Sequence, residues 1–211
     1  MTLPVVDPPA DSPGDAAVAG VMLAAGTSSR FGDENKLLAN ANGDPVVRES
    51  AQTLLDAGLD PVLVVVGYEA ARVQSALEGL DVEFASNPDY ESGQASSVRA
   101  GVRVLADEER DADFAVDAAV FALGDMPFVA PESVQLLVAA YEHGAGSALA
   151  AGYAGERGNP VLFDAQHFPA LAGREGDIGG RQVLLSADDA AVVETGDPGV
   201  RRDVDRREDL A

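Results

Sequence analysis

Cysteine is absent from this chain of 211 residues, and tryptophan with it. The first absence excludes disulfides, thiolate metal sites and cysteine nucleophiles together. Long apolar runs are missing too: no window approaches the roughly 20 apolar residues of a membrane span, and the N-terminus carries neither a basic leader region nor an apolar one. The expectation is a soluble, cytoplasmic protein. Lysine is almost absent, for all but one of the 14 basic residues are arginine, against 36 acidic residues and a formal net charge of −22. Such an exterior repels nucleic acid and anionic membranes, so neither is expected as a partner.

The acid-rich, lysine-poor composition matches a salt-loving source, where molar salt shortens the Debye length to ~3 Å and screens self-repulsion. The length suits one α/β domain with a sizeable core. Met1 to Ala17, with breakers at Asp7-Pro8-Pro9 and Ser12-Pro13-Gly14, reads as a mobile tail. The domain is expected over residues 18–211.

From Val18 the pattern alternates between strand and helix. Val18 to Ala24 is short and apolar, and Pro61 to Val66 is continuously aliphatic, as strands covered on both faces should be. Asp44 and Pro45 predict a helix start, the carboxylate capping free N–H groups, and Gly58 a stop, giving a helix from Pro45 to Ala57. Further helices are expected at Glu69 to Leu77, Ala95 to Leu105 and Pro131 to Tyr141, with strands at Val82 to Ala85 and Ala118 to Leu123. Ala148 to Tyr153 and Pro160 to Phe163 flank a Gly-rich bend and suggest a hairpin. The repetition predicts a mostly parallel sheet with helices on both sides.

In such a sheet, ligands bind beyond the carboxyl ends of the strands. After the first strand comes Gly26 to Lys36, whose small residues let backbone N–H groups approach phosphate while Arg30 and Lys36 neutralise it. It is neither a Walker loop nor a dinucleotide fingerprint. The sole lysine at its end is a compact point charge suited to phosphate. After the later strand comes Gly124-Asp125-Met126-Pro127. Two readings of Asp125 stand: a carboxylate for Mg²⁺, or a turn residue satisfying its own backbone. Near the C-terminus, Asp203 and Asp205 flank Val204, which suggests a short strand with both carboxylates on one face; capping of the last helical turn is the other reading of Asp205.

Six segments in order carry a resemblance: Leu23-Ala24-Ala25-Gly26 with Arg30, Phe31, Gly32 and Lys36; Asn87 to Ser97; Gly124 to Pro127; Gly158 to Phe163; Gly176 to Arg181; and Asp203 to Leu210. Together they resemble the nucleotidyltransferase family that includes molybdenum cofactor cytidylyltransferases. The resemblance implies a Rossmann-like three-layer α/β fold with a mostly parallel sheet. It also implies an enzyme that binds a nucleoside triphosphate and Mg²⁺, transfers the nucleoside monophosphate to a phosphorylated acceptor and releases pyrophosphate. By that carry-over Leu23, Ala24, Ala25 and Gly26 hold base and phosphates, and Arg30 and Lys36 grip the triphosphate. Asp125 and Asp205 hold the metal, with Asp203 competing as second ligand. Asn87, Gly93, Ser96 and Ser97 face base and ribose.

The Leu-Ala-Ala-Gly start is similar to the cytidylyl-transferring branch, since the guanylyl-transferring branch carries a second glycine where this chain has Ala25. CTP and molybdopterin cofactor are thus the expected substrates. GTP, a sugar or alcohol phosphate acceptor, and a silent partner that delivers cofactor to a molybdenum hydroxylase are the alternatives. Two departures stand out: Arg206-Arg207 replaces the usual Thr-Pro, and Gly180 stands where alanine is frequent. His143 is expected to favour a helix C-terminus, His167 to lie on the surface, and the acidic run Asp107 to Asp113 to be solvated. Arg181 has two readings, a contact to an anionic acceptor or a surface ion pair.

Overall fold

The computed structural model describes residues 3–9, 14–28, 31–32, 34–41, 43–107, 115–173 and 180–210. Five of its strands run in one direction: β2 (Val18–Ala24), β5 (Val62–Val66), β6 (Glu83–Ser86), β7 (Ala118–Leu123) and β8 (Ala148–Tyr153). With β1 (Val5–Val6), β9 (Glu156–Asp164) and β10 (Ala191–Glu194) they form an 8-stranded sheet in the order β1-β10-β8-β9-β7-β2-β5-β6. Only β9 runs against its neighbours, pairing antiparallel with both β7 and β8. A two-stranded ribbon, β3 (Asn40–Ala41) with β4 (Asp44–Pro45), lies apart from it.

The described α-helices are α1 (Val46–Asp56), α2 (Ala70–Ala76), α3 (Gln94–Leu105), α4 (Pro131–Glu142), α5 (Phe168–Ala172) and α6 (Arg181–Ser186), with short 3₁₀ turns among the connections. Alternation along the strands divides the core into two layers. Met22, Val64 and Val120 pack on one face with Leu54 of α1 and Leu137 of α4, whereas Val21, Val65 and Phe121 pack on the other with Val98 of α3 and Leu184 of α6. All of β5 is buried, which explains its unbroken Val-Leu-Val-Val-Val sequence.

Three expectations need correction. The predicted tail is in part structured: Val5 and Val6 pair in parallel with Val192 and Val193, and Leu3 is buried. Two adjacent valines on an open sheet edge find backbone partners that the surrounding prolines concealed. Asp44 does not cap α1. Its backbone pairs with Ala41, its carboxylate lies 3.8 Å from Arg48, and Pro45 occupies the cap position without a side-chain bond. Asp203 to Asp205 joins no strand; the Val204 amide donates instead to the Asp125 carbonyl at 2.8 Å.

Register places the functional end. Leu23 pairs with Leu123 and Ala24 with Val66, so the loops leaving β2, β5 and β7 emerge side by side. Close approach here requires glycine: a Cβ on Gly67 would stand 2.8 Å from that of Tyr90 and 2.9 Å from that of Ala25.

Candidate active site

The loop after β2 is locked by its own side chains. Ser28 Oγ donates to Asn35 Oδ1 at 3.0 Å and accepts from the Lys36 amide at 3.1 Å, while Asn35 Oδ1 also accepts from the Leu37 amide. Phe31 and Leu37 are buried and anchor the two sides. These bonds begin a 3₁₀ turn at Lys36–Leu38 and aim the lysine inward. Its Nζ lies 2.6 Å from Asp125 Oδ2 and 2.9 Å from Asp205 Oδ1.

Asp125 arrives two residues beyond β7, and the Val204 amide bond to its carbonyl draws in the C-terminal segment. Val204 is fully buried, so Asp203 and Asp205 both project from its other side. Asp209 Oδ2 fixes the following bend by accepting from the Asp205 and Arg206 amides at 3.0 and 2.7 Å. Asp209, and not Asp205, is therefore the carboxylate that caps these amides. The departure at Arg206-Arg207 has a use as well: Arg207 reaches Glu34 at 2.8 Å and stands 5.6 Å over the Phe31 ring, linking the C-terminal segment to the glycine loop.

One oxygen from each of Asp125, Asp203 and Asp205 lies within 4.8 Å of the others. Burial works against the charged form of Lys36, yet Asp125 and Asp205 outweigh it and hold its pKa above the ordinary lysine value. Burial likewise pushes the Asp125 carboxyl up, opposed by Lys36 and reinforced by Asp203. The two directions share a meaning: the site is short of positive charge. Three carboxylates face one ammonium, and Asp125 Oδ1 is buried without a hydrogen-bond partner among the described residues. A hard dication would supply both the missing charge and the missing partner, so the donor set fits Mg²⁺ or a similar ion.

Lys36, Asp125 and Asp205 line a cleft of ≈ 580 Å³. Of the residues expected to contact nucleotide, Leu23, Ala25, Gly26, Gly93 and Ser97 line it. Ala24 is buried beneath the cleft. Asn87 and Ser96 are buried too: the Asn87 amide donates to Ser96 Oγ at 2.8 Å and Ser97 Oγ at 3.0 Å, which braces the loop from behind. Arg30 and residues 174–179, which include much of the Gly176 to Arg181 motif, lie outside the described residues, as does most of the acidic run after Asp107.

Tyr90 and Gln94 also line the cleft and were not singled out by sequence. Their only signal was membership of the Asn87 to Ser97 motif. His143 caps α4 through Nδ1 and the Ala139 carbonyl at 2.8 Å, and His167 bonds Ser147 Oγ at 2.8 Å, so each histidine has a structural partner away from the cleft.

Comparison with known proteins agrees with this architecture. A family described as the MobA-like NTP transferase domain matches residues 20–191. The purine catabolism protein PucB of Bacillus subtilis is 32% identical over 203 residues, covering 90% of this chain and 92% of its own. Nicotine blue oxidoreductase of Paenarthrobacter nicotinovorans is 31% identical over 79% of this chain and 81% of its own. A probable molybdenum cofactor guanylyltransferase of Natronomonas pharaonis is 33% identical over 56% of this chain and 54% of its own. Among solved structures, a nucleotidyl transferase from Methanothermobacter thermautotroptrophicus superposes with a TM-score of 0.75 at 25% identity, covering 93% of this chain and 94% of that one. Rv0371C from Mycobacterium tuberculosis, in complex with manganese, gives 0.70 at 25% identity over 92% and 95%. The glycine loop, the inward lysine and the carboxylates at the strand ends thus sit in a nucleotidyltransferase of the MobA-like NTP transferase family, to which this chain belongs.

Proposed function

We propose that the chain is a Mg²⁺-dependent cytidylyltransferase that moves CMP from CTP to molybdopterin cofactor and releases pyrophosphate. The observation that carries this reading is the three-carboxylate cluster joined to the only lysine at the carboxyl ends of β2 and β7. An oxygen of the acceptor phosphate attacks the α-phosphorus; the new O–P bond forms as the bond from that phosphorus to the bridging oxygen breaks, and its electron pair leaves on pyrophosphate. No protein nucleophile is needed, since positioning and charge neutralisation carry most of such a transfer.

Asp125 and Asp205 would hold Mg²⁺, with Asp203 beside them, and the bound ion would neutralise charge on the phosphate oxygens. Lys36, released from its two aspartates, grips the triphosphate, with Arg30 assigned the same task. The backbone of Leu23 to Gly26 lies against the nucleotide, and Ser97 and Gly93 face its sugar and base. The manganese held by a structural relative supports a divalent ion in this fold. A cytoplasmic setting and a salt-rich source belong to the same proposal.

A second reading, guanylyl transfer, is favoured by the relative named as a probable molybdenum cofactor guanylyltransferase. Ala25 in the loop, where a second glycine marks the guanylyl branch, favours CTP. Pyrophosphate release measured side by side with CTP and GTP, in the presence of molybdopterin cofactor and Mg²⁺, decides between them. Turnover with GTP alone would reverse the base assignment, and release with neither nucleotide would end both readings.

A further inference from the structure

A second cavity, ≈ 320 Å³, adjoins the nucleotide cleft and shares Leu23, Gln94 and Leu123 with it. Its floor is apolar, made by Phe121, Val161 and Leu184, and its rim carries Arg157 and Arg181. No carboxylate lines it among the described residues. That is unusual for a chain with 36 acidic residues and only 14 basic ones. The described ion pairs engage Arg48, Arg72, Arg201, Arg206 and Arg207, whereas Arg157 and Arg181 have no carboxylate partner among the described residues.

Backbone register explains why Arg157 faces this way. Phe121 pairs with Val161 across β7 and β9, and Val161, Asn159 and Arg157, each two residues apart, all line the cavity although β9 shifts register against β8 between them. Arg181 comes from the first position of α6, on the layer that also contains Phe163. The wall of the cavity desolvates Arg157 although the residue is open to solvent on one side, and together with Arg181 this lowers its pKa from the ordinary arginine value. Two guanidiniums held towards one hollow repel each other until an anion lies between them. Arginine forks suit a phosphate in that position.

We propose that this cavity is the acceptor subsite, in which Arg157 and Arg181 clamp the phosphate of a flat, ring-bearing phosphomonoester whose body rests on Phe121, Val161 and Leu184. The amides of Gln94 and Asn159, each offering a donor and an acceptor, give the ring polar edges to pair with. The inference rests on the nucleotidyl-transfer reading and adds to it where the second substrate sits and what recognises it.

The test uses the full chain with its nucleotide cleft filled by α,β-methylene-CTP and Mg²⁺, and 1-naphthyl phosphate as probe in calorimetric titration. Saturable binding is expected, weakened at least tenfold by Arg157→Ala and by Arg181→Ala, while affinity for the CTP analogue stays within twofold and shows that both variants are folded. Naphthyl phosphate that fails to bind, or binds equally to the variants, overturns the subsite and leaves nucleotide binding standing. A parallel loss of CTP-analogue affinity also overturns it, by assigning the arginines to the nucleotide. An unsubstituted chain that ignores both the CTP analogue and its GTP counterpart removes the nucleotidyl-transfer reading itself, and the subsite with it.

Discussion

Lys36 holds two carboxylates at once from a largely buried position, with 16% of its side chain exposed. A buried pair of this kind is weak as a source of stability, because desolvation offsets much of the Coulombic gain. Its retention in a chain otherwise devoid of lysine therefore points to turnover. Lys36→Ala is expected to lower the rate of pyrophosphate release by about 10²–10³, the scale seen when one preorganised charge is removed from a transition state. Circular dichroism should show the fold retained. An unchanged initial rate would rule out the role. Lys36 and Asp125 were legible in the sequence because each follows an apolar strand directly, and strand ends are where chemistry gathers. Asn87 misled for a physical reason: in a motif it looks like a ligand contact, but the fold buries its amide against Ser96 and Ser97.

Among the elements, the junction of β8 with the turn before β10 depends on one carboxylate. Ser147 donates to Asp189 through its hydroxyl at 2.6 Å and its amide at 2.9 Å, and His167 bonds the same hydroxyl. The hydroxyl bond is the main reason that the Asp189 pKa falls below the ordinary carboxylate value; partial burial opposes it and the amide bond adds to it. With the folded value depressed, the stabilisation is fully present above the unfolded value of about 3.9 and is lost as pH falls through the folded one. Asp189→Asn should therefore be less stable than the parent at pH 7, by under about 1 kcal/mol for so exposed a group, and the gap should close in acid. Melting temperatures from pH 2 to 7 check the sign. The central strands and four helices could be read from periodicity, since each is long enough to show it. The strands β1 and β10 escaped, being two and four residues long and defined by partners remote in sequence. Asp203 to Asp205 kept the alternation of a strand without its hydrogen bonds, a distinction that only tertiary contacts make.

For the molecule as a whole, a net charge of −22 works against compactness. Melting temperature is expected to rise from dilute buffer to molar salt as self-repulsion is screened, and a flat or falling profile would contradict that expectation. The same surplus also shapes substrate approach. Anionic nucleotide and acceptor meet a repulsive exterior, and the Arg157 and Arg181 rim, whose cavity has no carboxylate among its described lining residues, offers local relief that favours encounter there.

The bridging ammonium of Lys36 also makes the two occupants of the cleft interdependent. While it neutralises Asp125 and Asp205 it competes with any dication for those oxygens, and a triphosphate offers it another home. Each ligand should consequently improve the other's affinity by the same factor, as reciprocity demands. Manganese titrated alone should bind more weakly than with α,β-methylene-CTP present, and equal affinities would show the lysine to be a spectator.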